Sequence, residues 1–218
     1  ILLLPNKSLH SRQDPKLETK LSRNIHIDIP ITSANMDTIT GFDLAKTMSK
    51  MGGVGFLHRN MEVHENVEIV KKCLNEWETY WTPVVPTVGV SSLQEMARAE
   101  SIIELGVPAI CIDIANAYSD RVVNMINFIR SKNAHIDIIV GNVATASAAV
   151  FLAKHGVDAI KVGIGPGSVC TTRRMTGFGV PQLTAVRMVK MGLMEYKYSS
   201  IPVIADGGIK SSGDIVKA

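Results

Sequence analysis

The sequence predicts an α/β fold in which parallel strands close into a (β/α)8 TIM barrel. Short apolar runs alternate regularly with amphipathic stretches along the 218 residues, the pattern of strands joined by helical crossovers and hence paired in parallel. Polar residues close nearly every apolar run, as they do where a barrel lines its C-terminal face. A doubly wound dinucleotide sheet would instead carry G-x-G-x-x-G after its first strand, with an acid about 20 residues on. Here the glycines follow the sixth strand, as Gly163, Gly165 and Gly167.

Taken in order, residues 1–29 read as irregular, with a polar turn at 11–14. A first strand is expected over 29–33 and ends at Asn35 and Asp37. The helix pattern of 42–51 is closed by Gly52 and Gly53, and the second strand, 54–57, ends at His58 and Arg59. A helix over 62–78 leads to the third strand, 84–88. The helix over 93–105 stops at Gly106, and the fourth strand, 109–113, ends on Asp113. After a helix over 122–131 comes a fifth strand, 136–140, ending at Gly141 and Asn142. The helix over 146–155 closes at Gly156. The sixth strand, 159–162, runs into the glycine turn, a helix over 183–191 follows, and the seventh strand, 202–205, ends on Asp206. Only about seven strands are visible, and the sequence stops inside the next helical stretch. The expectation is a single catalytic barrel domain over 1–218, truncated before its eighth strand; the absence of an initiator methionine leaves room for missing residues upstream as well.

Composition narrows the function. With 46% hydrophobic residues the chain can bury a substantial core. The net charge of +3 is small and its basic residues are dispersed, which argues against a nucleic-acid surface. Cys73, Cys111 and Cys170 show neither disulfide nor zinc spacing, as expected in the reducing cytoplasm. Residues 1–5 are too short for a signal sequence, and no apolar run approaches the roughly 20 residues that span a bilayer, so no membrane role is expected.

Chemistry concentrates in two places. Alternating glycines after the sixth strand let backbone groups approach a ligand, and Ser168-Val-Cys-Thr-Thr-Arg173 then presents a thiol beside hydroxyls and arginines. A cysteine in that setting is a candidate nucleophile with a lowered pKa. The second place is Asp206-Gly-Gly-Ile209 with Ser211-Ser-Gly213, whose amides at a helix start suit a phosphate. Asp206 adds an acceptor for ribose hydroxyls.

Together these two stretches resemble the GMP reductases and their relatives, the IMP dehydrogenases. The resemblance rests on Lys161-Val-Gly-Ile-Gly-Pro-Gly-Ser-Val-Cys-Thr-Thr-Arg173, Thr176-Gly-Phe-Gly179 and Pro181-Gln-Leu-Thr-Ala185. Ala34-Asn-Met-Asp-Thr38, Asp113-Ile-Ala-Asn-Ala-Tyr-Ser119, Gly141-Asn-Val143 and Ile204-Ala-Asp-Gly-Gly-Ile209 extend it from Leu4 to Ala218. Residues 60–83 leave no room for the regulatory insertion usual in the dehydrogenases, and Cys-Thr-Thr-Arg replaces their Cys-Ile-Thr. Ala117 stands where the reductases have glycine, and Arg59 where many relatives have lysine.

The resemblance implies an NADPH-dependent reductive deamination of GMP to IMP and ammonia. In that reaction Cys170 forms a thioimidate with C2 of the purine and Thr172 transfers a proton with a glutamate from a later flap. It assigns Met36, Ser168, Asp206, Gly207 and Gly208 to the nucleotide, and Ser11, Arg12, Arg59, Asp113, Ile114, Ala115, Ile164 and Gly165 to the cofactor. Gly165, Gly167, Cys170 and Arg173 are assigned to a monovalent cation, K+, held largely through carbonyls. A homotetramer is implied as well. The residues alone leave other roles open: Met36 as a core methionine, Arg12 as a surface arginine, Thr172 as a loop hydroxyl and His58 as a core histidine. Alternatives for the whole chain are an IMP dehydrogenase without its insertion, oxidising IMP to XMP with NAD, a non-catalytic nucleotide-binding barrel, and a flavin barrel.

Overall fold

The computed structural model describes residues 1–9, 11, 13–77 and 84–218. Its centre is a six-stranded, all-parallel sheet in strict chain order: β3 (Phe56–Leu57), β4 (Val85–Val88), β5 (Ala109–Asp113), β6 (Asp137–Val143), β7 (Ala159–Val162) and β8 (Val203–Ala205). Between them run α2 (Val63–Trp77), α3 (Leu93–Glu104), α4 (Asp120–Lys132), α5 (Ala146–Lys154) and α7 (Gln182–Glu195), with α1 (Phe42–Lys50) before β3 and α8 (Ser212–Lys217) after β8. Each strand pairs with the strand before it, so every crossover returns to the neighbouring position.

The sheet curls. On the inner face Lys161 of β7 reaches Asn35 at 2.9 Å and lies 5.4 Å from the ring of Phe56 on β3. Four strand spacings in a flat sheet would separate β3 from β7 by about 19 Å. The α/β half-barrel is therefore consistent with a partial TIM barrel.

Alternation of side chains sorts the core into two layers. Ile110 and Ile112 of β5, Ile138 and Val140 of β6, and Ile160 and Val162 of β7 face the helices and pack on Ile102, Ile126, Ile129 and Leu152. The other face carries Phe56, Val85, Ala109, Cys111, Ile139 and Ala159, which form a smaller inner cluster. Helix starts follow local rules: the hydroxyls of Ser92, Ser119 and Thr145 cap α3, α4 and α5 by accepting amides of Glu95, Arg121 and Ala148.

Three expectations are corrected. Residues 1–29 are not wholly irregular: β1 (Thr19–Lys20) and β2 (His26–Ile27) form an antiparallel hairpin whose Leu21 and Ile27 complete the inner cluster. The buried Asp137 carboxylate, at the N-terminal end of β6, holds its loop by accepting from Ser22 Oγ at 2.5 Å, Asn24 N at 3.1 Å and Asn24 Nδ2 at 2.7 Å. The first strand expected over 29–33 is reduced to a single parallel bridge, Thr32 to Val54. The sixth-strand turn ends in a short helix, α6 (Thr172–Thr176), closed by Gly177 at φ +76°. The helix expected over 62–78 spans Val63–Trp77; Glu78 lies outside the described residues.

Candidate active site

The Cys170 loop and the Asp206 loop meet at the C-terminal ends of β7 and β8. Gly163 leaves β7 at φ +146°, and any side chain there would run into the Asp206 carbonyl oxygen, so only glycine lets the two strand exits lie this close. Gln182, the first residue of α7, donates Nε2 to the carbonyls of Val162 (2.7 Å) and Asp206 (2.9 Å) and ties the exits together. Gly207 and Gly208 pack on the turn of Pro166 and Gly167.

Above this base Cys170 is exposed, with Sγ 3.3 Å from Thr172 Oγ1. Its thiol is held below the ordinary value chiefly by the Thr172 hydroxyl and then the Thr172 amide, both of which donate to the ionised sulfur; Arg173 contributes less. Arg173 is committed elsewhere. Its Nε donates to Ile164 O (2.9 Å) and its Nη2 to Val180 O (2.6 Å), so the guanidinium clamps the loop rather than facing the thiol. Cys111, buried inside β5, has its thiol driven far up by burial and stays neutral.

The residues that the resemblance assigns to the nucleotide divide. Asp206 accepts Asn142 Nδ2 at 2.6 Å and lies 3.4 Å from Lys161 Nζ. Met36 and Ser168 are exposed, Met36 on the loop that also presents Asn35 to Lys161. Of the residues that the resemblance assigns to the cofactor, Asp113 closes β5 with Lys161 Nζ at 2.5 Å, and Ile114 exchanges backbone hydrogen bonds with Gly141 and Asn142. Ile164 and Gly165 form the loop that Arg173 clamps. Arg59, which the resemblance also assigns to the cofactor, lies beside a buried network: Nη1 is 3.8 Å from Glu95, which also binds Arg98 and the Gly89 amide. Among the described residues Ser11 contacts Asp14 and Gln13, and Arg12 lies outside them.

Sequence reading assigned no role to Lys161 or to Gln182. Lys161 sits two residues after Ala159 on the inner face of β7, beside Cys111 and Asp113 of β5, so the period of two along both strands was the available signal. Among the described residues no group of three or more His, Cys, Asp or Glu side chains could hold a metal ion, and no helix is long and apolar enough to cross a membrane. Carbonyl sites are a separate matter. Gly167 O already accepts the Cys170 amide and Arg173 O the Gly177 amide, each with a second lone pair left, and Gly165 abuts Arg173.

Comparison with known proteins agrees with this geometry. Residues 1–218 match the IMP dehydrogenase / GMP reductase domain. The chain is 38% identical over 258 aligned positions to an inosine-5'-monophosphate dehydrogenase of Cryptosporidium parvum, covering 100% of this chain and 62% of that protein. It is 32% identical to the enzyme of that name from Borreliella burgdorferi, covering 100% of this chain and 64% of the relative. Over 56% of the chain and 24% of the relative, identity to the Chlorobaculum tepidum inosine-5'-monophosphate dehydrogenase is 48%. The chain thus spans a little under two thirds of the length of the first two relatives. With the thiol loop, the glycine turn and the Asp206 loop in place, this chain belongs to the IMP dehydrogenase/GMP reductase family of oxidoreductases.

Proposed function

We propose that the protein carrying this chain oxidises IMP to XMP at C2 of the purine, with NAD as hydride acceptor. The observation that carries the chemistry is the exposed Cys170 thiol, lowered in pKa by Thr172 and set on a loop locked against the Asp206 loop. The relatives described above are IMP dehydrogenases, which favours oxidation over the reduction first expected from the resemblance.

In this reading the Cys170 thiolate adds to C2 of IMP. Bound NAD supplies the acceptor for the hydride that leaves C2, and a purine–cysteine thioimidate remains. Water then attacks C2, its proton passes through the Thr172 hydroxyl to solvent, and the C2–sulfur bond breaks to return the thiolate and release XMP. Sulfur suits both steps because it adds and leaves readily. Asp206 holds the ribose hydroxyls, Gly207 and Gly208 present amides to the phosphate with Ser168 beside them, and Met36 packs on the base. Asp113, Ile114, Ala115, Ile164 and Gly165 border the cofactor. A potassium ion on the carbonyls of Gly165, Gly167, Cys170 and Arg173 would hold the Cys170 loop in its reactive shape.

A second reading, NADPH-dependent reduction of GMP to IMP, is favoured by Asp113-Ile-Ala-Asn-Ala-Tyr-Ser119 and by the Cys-Thr-Thr-Arg loop. Incubation with IMP and NAD, then separately with GMP and NADPH, distinguishes them. Reduced nicotinamide absorbance rising in the first mixture supports the dehydrogenase; its fall in the second alone transfers the assignment to the reductase.

A further inference from the structure

Lys161 is the cation of the barrel bore, its side chain 3% exposed. Its ammonium has three protons and meets three oxygens: Asp113 Oδ2 at 2.5 Å, Asn35 Oδ1 at 2.9 Å and Asp206 Oδ2 at 3.4 Å. Burial pushes its pKa down, but the facing carboxylates of Asp206 and Asp113 hold the amine above its ordinary value, hence charged. Neighbouring β6 makes room for the stem with Gly141, where any side chain would collide with Lys161 Cβ. A well-packed apolar residue in such a position is often as stabilising as a buried ion pair. Stability alone therefore does not account for a lysine.

We propose that Lys161 is a positioning residue that couples the nucleotide side of the site to the cofactor side, by holding Asp206 and Asp113 through one ammonium. This rests on the functional reading above, in which the two carboxylates serve different ligands. The ion pairs and the Asn142 bond all use Oδ2, which leaves Oδ1 of each carboxylate to accept from ligand hydroxyls. The three contacts are unequal, and Asp206 holds the longest. A nucleotide that shifts Asp206 toward or away from Nζ changes the share of the ammonium left for Asp113. Affinity at one ligand site then depends on occupancy of the other, and by equal factors in both directions.

The test measures IMP affinity with and without NADH, a pair that does not react, and NADH affinity with and without IMP, in the protein carrying this chain. The wild type should show reciprocal factors of about 5- to 150-fold, the ordinary size of such coupling. Asp113→Asn should change IMP affinity several-fold, although Asp113 stands on the cofactor side, and should reduce the coupling toward unity. Lys161→Met should weaken both ligands and abolish the coupling, with Lys161→Arg recovering part of it. Should Lys161→Met fail to fold, Asp113→Asn decides, since it keeps the Lys161–Asp206 pair. Wild-type IMP affinity and intact coupling in Asp113→Asn would overturn the proposal, as would thermal destabilisation of the variants with no change in either affinity. A wild type that binds neither IMP nor GMP overturns the functional reading itself, and the coupling with it.

Discussion

Cys170 and Cys111 carry the same functional group in opposite surroundings. Water reaches Cys170 and Thr172 donates to its sulfur, whereas Cys111 is closed inside the sheet, where a charge cannot be solvated. Thr172→Val should therefore raise the Cys170 pKa and slow its alkylation by iodoacetamide at neutral pH by roughly three- to tenfold, one proton-donor's worth of thiolate stabilisation. A rate profile unchanged with pH would mean the hydroxyl does not set the ionisation. A lowered pKa at Cys170 was legible in the sequence; Thr172 as its main cause was not. Arg173 is close in the chain, yet its stem lies against Gly165 and Gly179 and its charge is used on two carbonyls, a choice only the folded loop reveals. His58 offers a second residue-scale test. Burial holds its pKa below the ordinary 6.5, against Asp37 and with Arg98, and its Nδ1 has no partner among the described residues. The unfolded chain consequently binds a proton that the folded chain resists, and stability falls as pH drops below about 6.5. His58→Gln should flatten the loss of unfolding free energy between about pH 7 and 5, measured by urea titration; a parallel curve would assign that loss to other groups.

At the scale of elements, long strands and helices were readable because apolar runs bounded by glycine, and hydroxyl caps before amphipathic stretches, are local signals. Val85–Val88, Ala109–Asp113 and Ala159–Val162 fall where those signals put them. The β1–β2 hairpin was not readable. Two-residue strands have no period to detect, and what fixes them is Asp137, 115 positions from Ser22. Asp137→Ala would strand Ser22 Oγ and both Asn24 donors and uncouple the hairpin from β6. It should cost about 2–4 kcal/mol in denaturant unfolding, the range for breaking a buried hydrogen-bond network. A loss below about 0.5 kcal/mol would show that the packing of Leu21 and Ile27 and the contacts of Arg23 with Asp158 hold the hairpin without it. Helix α6 escaped notice for a related reason: five residues between a glycine-rich turn and Gly177 carry too little pattern, and the helix is set by tertiary contacts of Arg173. The bridge left of the expected first strand shows the converse, an apolar run that satisfies the strand pattern and pairs at only one position.

For the whole molecule, the outer edge of β8 and residues 30–34 face each other across a cleft of about 440 Å³, with Asp206, Gly207 and Gly208 in its wall. The strict chain order of the sheet has a consequence for how the protein is made. Each strand adds to the one synthesised just before it, so each pairing closes only a short loop and the sheet can grow in step with the emerging chain. The hairpin is the exception: it is synthesised before the sheet, yet its anchors at Asp137 and Asp158 arrive more than a hundred residues later. Pulse-labelled hydrogen exchange during refolding should protect amides of β5, β6 and β7 before those of Leu21 and Ile27; simultaneous protection would point to concerted closure. On that order the hairpin seats after β5, β6 and β7, and until it does the inner apolar face of the sheet that Leu21 and Ile27 cover stays open to water.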